Sequence, residues 1–412
     1  MLPILLEQGK IAKGNGEIEK ALSLFKTAIQ IEPHNIVALR TLGSALEECG
    51  QLTEALAIYS RAIHLARDVD LLNERGAILR QLGQYEQAIT DYRHALTLDA
   101  NNALVRYNLS IALLSTGQFD EGWQLYESRW DSVLSKYQRR FGVPQWRGDF
   151  PLTGRTILLH AEQGFGDTFQ FLRYTKLVAD QGAHVIMAVD RSQHTLAQRA
   201  PGVSTVLSNG DTFPPFDCHS PLMSLPFCLQ TTQNTIFAPQ RYLFADSERV
   251  EHWKSKLGVT KVPRVGLAWS GSVGHKNDRN RSIPLETLQS ALASDRHEFI
   301  SLQNEIRASD KKVLEHGFPG QHFGAALNFD ETAALIENLD LVIGVDTSVI
   351  HLAAAMGKPC WLLLSHVADW RWLTNRDDSL WYPSMRLFRQ THSGDWREAL
   401  RKIRQQMDLM AR

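Results

Sequence analysis

A chain of 412 residues is too long for one ordinary domain, and 43% hydrophobic with 22% charged content is the composition of a protein able to bury real cores. Forty-four basic against 45 acidic residues leave a net charge of −1, so nothing argues for a polyanionic partner such as DNA or RNA. Cys49, Cys218, Cys228 and Cys360 form no CxxC pair and have no histidine at metal-ligand spacing, so they read as apolar thiols in a reducing compartment, not as disulfides or a zinc site.

In chain order, MLPILLEQGK opens with a short apolar run but no basic segment before it and no small-residue cleavage site, which predicts a helix start rather than a signal peptide. No apolar run approaches the ~20 residues of a membrane helix. The expected location is cytoplasmic, with peripheral contact to a membrane left open.

A repeat follows. Gly16, Gly50, Gly83 and Gly117 recur at one period of 34, 33 and 34 residues, shared by Ala21, Ala55, Ala88 and Gly122 and by Phe25, Tyr59, Tyr92 and Tyr126. Ala28, Ala62 and Ala95 keep the same register. The pattern predicts pairs of helices: the glycine ends the first, the small residue five on lets the two approach, and the aromatic fills the gap. Such units stack into a curved solenoid, either presenting a groove to a partner or acting as a stabilising extension.

A connector with Pro144, Gly148 and Pro151 changes the pattern. Beyond it, short apolar runs alternate with helical stretches: strands at 155–161 and 184–190 around a helix at 168–181, then strands at 264–270, 298–303, 339–346 and 360–364. That alternation predicts parallel sheets with crossover helices. The expected layout is an all-α repeat solenoid at 1–130, a connector at 131–152, Rossmann-like α/β lobes at 153–250 and 262–390, and a C-terminal helix at 391–412, crossing back to the first lobe. Ligands of such sheets bind at the carboxyl ends of strands, which singles out three loops.

AEQGFGDTFQ follows the first strand. Gly164 and Gly166 permit a tight turn and close ligand approach, and Asp167 begins the next helix as an N-cap or as a general base for an acceptor hydroxyl. A competing reading takes Gly164, Gly166 and Asp190 as a dinucleotide fingerprint, against which Phe169 replaces the third glycine. SGSVGHKNDRNRSIP sets Ser270 and Gly271 before Lys276, Arg279 and Arg281, either a pyrophosphate cradle or an exposed basic loop. In VDTSVIHLAAAMGKP a helix start offers free amides, with Thr347 and Ser348 hydroxyls beside them. Asp346 is placed to bind sugar or ribose hydroxyls, to cap the helix or to hold a divalent ion, and His351 shares the Thr347 face as a ligand contact or a core residue.

The repeat resembles the tetratricopeptide repeat, with Pro33 at its closing proline and Ala66 and Ala100 in its place later. GFGD (Gly164 to Asp167), RSIP (Arg281 to Pro284) and DTSVIHLAAAMGKP (Asp346 to Pro359) resemble the ADP-heptose:lipopolysaccharide heptosyltransferase family over 155–390, and HAEQGFGDT, HKNDRNRSIP and DWRWL (Asp369 to Leu373) are similar to bacterial tetratricopeptide-repeat glycosyltransferases. The resemblance implies the two-lobed GT-B arrangement and inverting transfer from a nucleoside-diphosphate sugar, with no obligatory cofactor or metal. It also implies Asp167 as base, Arg281 on phosphate, and Asp346, Thr347, Ser348 and His351 on donor phosphates and sugar. Ser348 departs from the glycine common there, and the repeat module is extra. Gln303, at a strand end, is expected near the nucleoside. DWRWL and WYP (Trp381 to Pro383) supply aromatic faces for a base or sugar ring, or pack in the core. The acceptor is a glycan or a protein chosen by the repeats, as resemblance to repeat-bearing O-linked N-acetylglucosamine transferases implies; a non-catalytic scaffold is the remaining alternative.

Overall fold

The computed structural model describes residues 1–274, 277–324 and 327–410. They form two compact units, Met1–Gln138 and Arg139–Arg412.

The first unit is four antiparallel helix pairs: Leu2–Gly14 with Ile18–Ile31, Ile36–Glu48 with Leu52–Leu65, Val69–Gln81 with Tyr85–Leu98, and Ala103–Ser115 with Phe119–Tyr126. Asn35, Asp68 and Asn102 start the later first helices by accepting from Ala38, Leu71 and Val105 N–H groups. Each turn glycine sits at positive φ, between 73° and 82°. Close approach within a pair rests on a second glycine series. A Cβ on Gly43 would meet the Tyr59 ring at 2.8 Å and one on Gly76 the Tyr92 ring at 2.6 Å, with Gly9 set against Phe25 in the same way. Phe25, Tyr59 and Tyr92 are thereby fully buried.

The second unit holds two parallel sheets. The first lobe orders its strands β3-β2-β1-β4: β1 (Thr156–His160), β2 (His184–Ala188), β3 (Val203–Leu207) and β4 (Cys218–Pro221). The second orders β10-β9-β8-β5-β6-β7: β5 (Arg264–Ala268), β6 (Glu298–Ser301), β7 (Gly320–His322), β8 (Leu341–Val345), β9 (Cys360–Leu364) and β10 (Met385–Arg389). Helices cover both faces, so β5, β8 and β9 are buried along their whole length and read as unbroken apolar runs. The architecture is a repeat solenoid followed by two Rossmann-like lobes of GT-B type. β3, β4, β7 and β10 escape a reading by apolar runs, because β3 exposes Ser204 and Thr205, β4 reads Cys-His-Ser-Pro and β10 alternates Met-Arg-Leu-Phe-Arg.

Two expectations are corrected. The helix at 168–181 starts earlier and is divided into Phe165–Phe171 and Tyr174–Ala179 around Leu172 and Arg173. The C-terminal helix, Arg397–Met410, buries Ala399, Leu400, Ile403 and Met407 in the second lobe's own core. The chain reaches across to the first lobe through Trp370–Trp381 instead. Cys218, Cys228 and Cys360 are buried, Cys49 is half-buried, and none of the four is in a disulfide among the described residues. Among the described residues no helix is long and apolar enough to cross a membrane.

Candidate active site

β5 runs into Trp269, Ser270 and Gly271, whose polar groups are arranged by Gln303 at the end of neighbouring β6. Gln303 Oε1 accepts from the Trp269 and Ser270 amides, both at 3.1 Å, while its Nε2 donates to the Ser270 and Glu305 carbonyls at 2.9 and 3.1 Å. The Gly271 amide donates to Ser282 Oγ at 3.2 Å. Both amides expected to face a pyrophosphate are therefore satisfied within the protein, and Gln303 fastens a loop instead of reaching for a nucleoside. What remains is Ser270 Oγ, buried and without a hydrogen-bond partner among the described residues.

Arg281 completes this corner. Its Nη1 donates to the Asp346 carbonyl at 2.9 Å, and its guanidinium lies so close over Gly271 that a Cβ there would run into Nη2. The loop after β5 and the loop after β8 are thus tied together, and the glycine is required by the close approach of a cation. Arg281 Nε stands 3.8 Å from Asp278 Oδ1 and has no hydrogen bond among the described residues. Asp278, buried, also takes Ser282 Oγ at 2.8 Å and Arg307 Nη2 at 2.5 Å, and Arg307 Nη2 reaches the Gly271 carbonyl at 3.1 Å. A second guanidinium that sequence reading passed over therefore backs the same loop. Lys276 lies outside the described residues.

β8 delivers Asp346 beside the helix Ser348–Ala355, with Thr347 as N-cap and Thr347 and Ser348 half-buried at its amino end. Neither Asp346 oxygen is idle: Oδ1 is 3.3 Å from His351 Nε2 and Oδ2 accepts from Trp372 Nε1 at 2.8 Å. Burial opposes its charge, but the hydrogen bonds from His351 and Trp372 prevail and hold the carboxyl below its ordinary value. His351, buried, shares its Nδ1 with Tyr382 Oη at 2.8 Å and stacks on Trp372 at 5.4 Å between centroids. Burial pushes the Tyr382 phenol well above 10, so it remains an O–H. Asp346 and Tyr382 thus hold the two ring nitrogens of His351 from opposite sides.

The first lobe meets this assembly through the helix Phe165–Phe171. Asp167 Oδ2 accepts from the Gly164 amide at 2.8 Å, an N-terminal capping arrangement, and Oδ1 pairs with Arg371 Nη2. The cap and the functional reading are therefore not exclusive, since each carboxylate oxygen has a second lone pair. Gly166 lies against the His351 ring, where a Cβ would stand 2.8 Å from Cδ2. Arg371, buried, comes from the second lobe; it donates to Gln170 Oε1 at 2.5 Å and to Asp369 Oδ1 at 2.8 Å, with its guanidinium over the Trp370 ring. Trp372 and Tyr382, read from sequence as ring faces for a ligand or as core packing, hold Asp346 and His351, and Arg371 between the tryptophans of DWRWL is a residue the sequence does not single out. Asp190 caps its own turn, accepting from Ser192 N at 2.9 Å and Ser192 Oγ at 2.6 Å. The structure thus gathers Gly164, Gly166, Asp167, Ser270, Gly271, Arg281, Asp346, Thr347, Ser348 and His351 about one seam between the lobes, with Gln303 one layer behind.

Two cavities lie away from these residues. One of about 710 Å³ is lined by Arg199, Asp246, Arg249, Trp253 and Glu331, another of about 380 Å³ by residues at the carboxyl ends of β2 and β3.

Residues 303–363 match the family model Glycosyltransferase family 9 (heptosyltransferase), while 12–72 match Tetratricopeptide repeat and 76–117 match TPR repeat. The chain joins tetratricopeptide repeats to a glycosyltransferase-like domain. Gln303, Asp346, Thr347, Ser348 and His351 fall inside the matched stretch, Asp167 and Arg281 outside it. Protein FlbA of Caulobacter vibrioides is 26% identical over 414 residues, 93% of this chain and 69% of that protein. The probable UDP-N-acetylglucosamine–peptide N-acetylglucosaminyltransferase SPINDLY of Hordeum vulgare is 28% identical over 135 residues, which spans 30% of this chain and 14% of that one. Among solved structures, the crystal structure of MamA protein covers 33% of this chain and 77% of its own at 20% identity, with a TM-score of 0.31.

Proposed function

We propose that the second unit transfers a glycosyl group from a nucleoside-diphosphate sugar to a hydroxyl acceptor, with inversion. The observation that supports this best is the corner beside Gly271. Arg281 bridges the loops after β5 and β8, and among the described residues neither its Nε nor the buried Ser270 Oγ of the same loop has a hydrogen-bond partner. Those groups, with the amino end of the helix at Ser348, suit a diphosphate. In the step proposed, Asp167 takes the acceptor hydroxyl proton, the acceptor oxygen bonds to the anomeric carbon, and the bond from that carbon to the diphosphate oxygen breaks. The nucleoside diphosphate leaves with its charge held by fixed donors, without an obligatory metal. Thr347, Ser348 and the Asp346–His351 pair set the pocket wall against which the sugar lies, and lobe contact excludes water.

A second reading, favoured by the repeats and by the printed name of the Hordeum vulgare protein, makes the acceptor a polypeptide chosen by the first unit. The scaffold alternative loses ground to the catalytic one because Asp167 and Arg281 both meet the seam.

The test is a melting-temperature panel of ADP, GDP, UDP and CMP with their common sugar conjugates. Ligand at ~100 times its dissociation constant adds about 2.7 kcal/mol to stability. One nucleotide class should raise the melting temperature of the wild type and fail to do so in Arg281→Ala. A flat panel with folded protein would reject the donor reading.

A further inference from the structure

Asp167 and Asp346, the two carboxylates brought to the seam, are held by neighbouring residues of one short turn. Arg371 Nη2 donates to Asp167 Oδ1, and Trp372 Nε1 donates to Asp346 Oδ2 at 2.8 Å. The turn, Trp370–Trp372, is a 3-10 helix capped by Asp369, whose Oδ1 accepts from the Arg371 amide at 3.1 Å. With three residues per turn, neighbours project about 120° apart, so adjacent side chains serve acceptors on different elements. One acceptor belongs to the first lobe's helix Phe165–Phe171, the other to the loop after β8. Burial opposes the charge of Asp346, and besides the hydrogen bonds from His351 and Trp372 the charge of Arg371 favours it.

The turn is fastened on both sides. Leu373 follows it at φ 51° and ψ −173°, and Asn375 at φ 56°. A buried leucine adopts that backbone only where its surroundings impose it. Arg389 of β10 supplies the constraint, donating through Nη2 to the Trp372 carbonyl and through Nε to the Arg376 carbonyl at 3.2 Å. At the far end of the crossing segment the Trp381 carbonyl accepts from Arg173 of the first lobe. With the chain so held, a shift of Trp372 carries Arg371 with it. On the transferase reading, a diphosphate at Arg281 lies beside Asp346, whose carbonyl Arg281 holds at 2.9 Å. Its negative charge then presses the Asp346 carboxylate toward Trp372 Nε1.

We propose that Arg371 is the positioning residue of Asp167 and that the turn it shares with Trp372 couples Asp167 to the diphosphate corner. A seated nucleoside diphosphate tightens the hold on Asp167, and an intact hold tightens diphosphate binding, because coupling between two sites is reciprocal. The experiment is calorimetric titration of the full chain with ADP, GDP, UDP, CDP and dTDP. Arg371→Lys keeps the charge that Asp346 feels but loses the planar fork, so the nucleotide bound by the wild type should bind roughly tenfold weaker. Trp372→Phe should lose a similar factor, and the double variant no more than either single one, whereas two independent contacts would multiply to roughly a hundredfold. Asp167→Ala should also lose about tenfold, while Asp167→Asn, which still accepts from Arg371, should keep the affinity. That last pair decides the matter if Arg371→Lys does not fold: equal affinity of the Ala and Asn variants overturns the coupling. Undiminished binding by Arg371→Lys, or a hundredfold loss in the double variant, overturns it too and leaves the transferase reading standing. A wild type that binds none of these nucleotides rejects the donor reading and the coupling together.

Discussion

In the first three repeats, the aromatic of the second helix, Phe25, Tyr59 or Tyr92, closes on a glycine of the first, and the contact is apolar, local and renewed every 33 or 34 residues. At the seam between the lobes the contacts are made by charged and polar side chains from positions some two hundred residues apart: Arg371 with Asp167 and Gln170, Arg173 with the Trp381 carbonyl. Apolar packing tolerates small changes by relaxing, whereas a buried guanidinium left without its acceptors, or a carboxylate without its donors, meets the full desolvation cost. The two regions should therefore respond differently to substitution, one in stability alone and the other in stability and chemistry together.

The largest effect expected is on the chemistry of the seam. Asp167→Asn keeps the shape and the Gly164 contact but removes the proton acceptor, so transfer should fall by roughly 10² to 10⁴. Nucleotide response in the melting panel should survive. Transfer at near wild-type rate would leave Asp167 as a cap and a lobe clasp only.

Arg173 sharpens the same contrast in stability. It is fully buried and donates to the Gln170 carbonyl at 2.7 Å, to Tyr242 Oη at 2.9 Å and to the Phe237 carbonyl at 3.3 Å, with its guanidinium 4.6 Å from the centre of the Tyr382 ring. Arg173→Ala opens a cavity and strands those oxygens, a loss of about 3 kcal/mol or more in urea unfolding. In the repeat, Gly76→Ala forces the Tyr92 ring to shift and should cost about 1–3 kcal/mol with nucleotide response untouched. If the repeat variant changed nucleotide response, the separation of roles drawn between the two regions would fail.

What could be read from the sequence follows the same division. The repeat was legible because its period is carried by three residue types at once, although the Gly9, Gly43, Gly76 series that makes the close approach went unnoticed beside the turn glycines. Fully buried parallel strands such as Leu341–Val345 announced themselves as apolar runs, while Cys218–Pro221, at a sheet edge, carries no such pattern. Within the candidate site, residue type singles out loops that the structure brings together, since Asp167, Arg281 and His351 all reach the seam. It did not say that Gln303 would consume the amides of Trp269 and Ser270, or that Arg371 would pair with Asp167. Those partners depend on how two lobes meet, and no local spacing encodes a contact 204 residues long.

The smallest effect is the one that isolates Asp346. Its folded value lies below the ordinary 3.8, so the charged form is favoured by folding. The sign follows: this carboxylate contributes its full stabilisation above pH about 4 and loses it as pH falls below 3.8 toward the folded value. Asp346→Asn should therefore lower stability by about 1 kcal/mol near neutral pH, and the deficit should shrink as acid protonates the wild-type group. A deficit that stayed constant down to pH about 2 would mean that shape, rather than charge, is what His351 and Trp372 require at this position. The matching comparison is Gly76→Ala in the repeat, where the partner is the Tyr92 phenol, held above 10 by burial, and the loss should show no slope across that range.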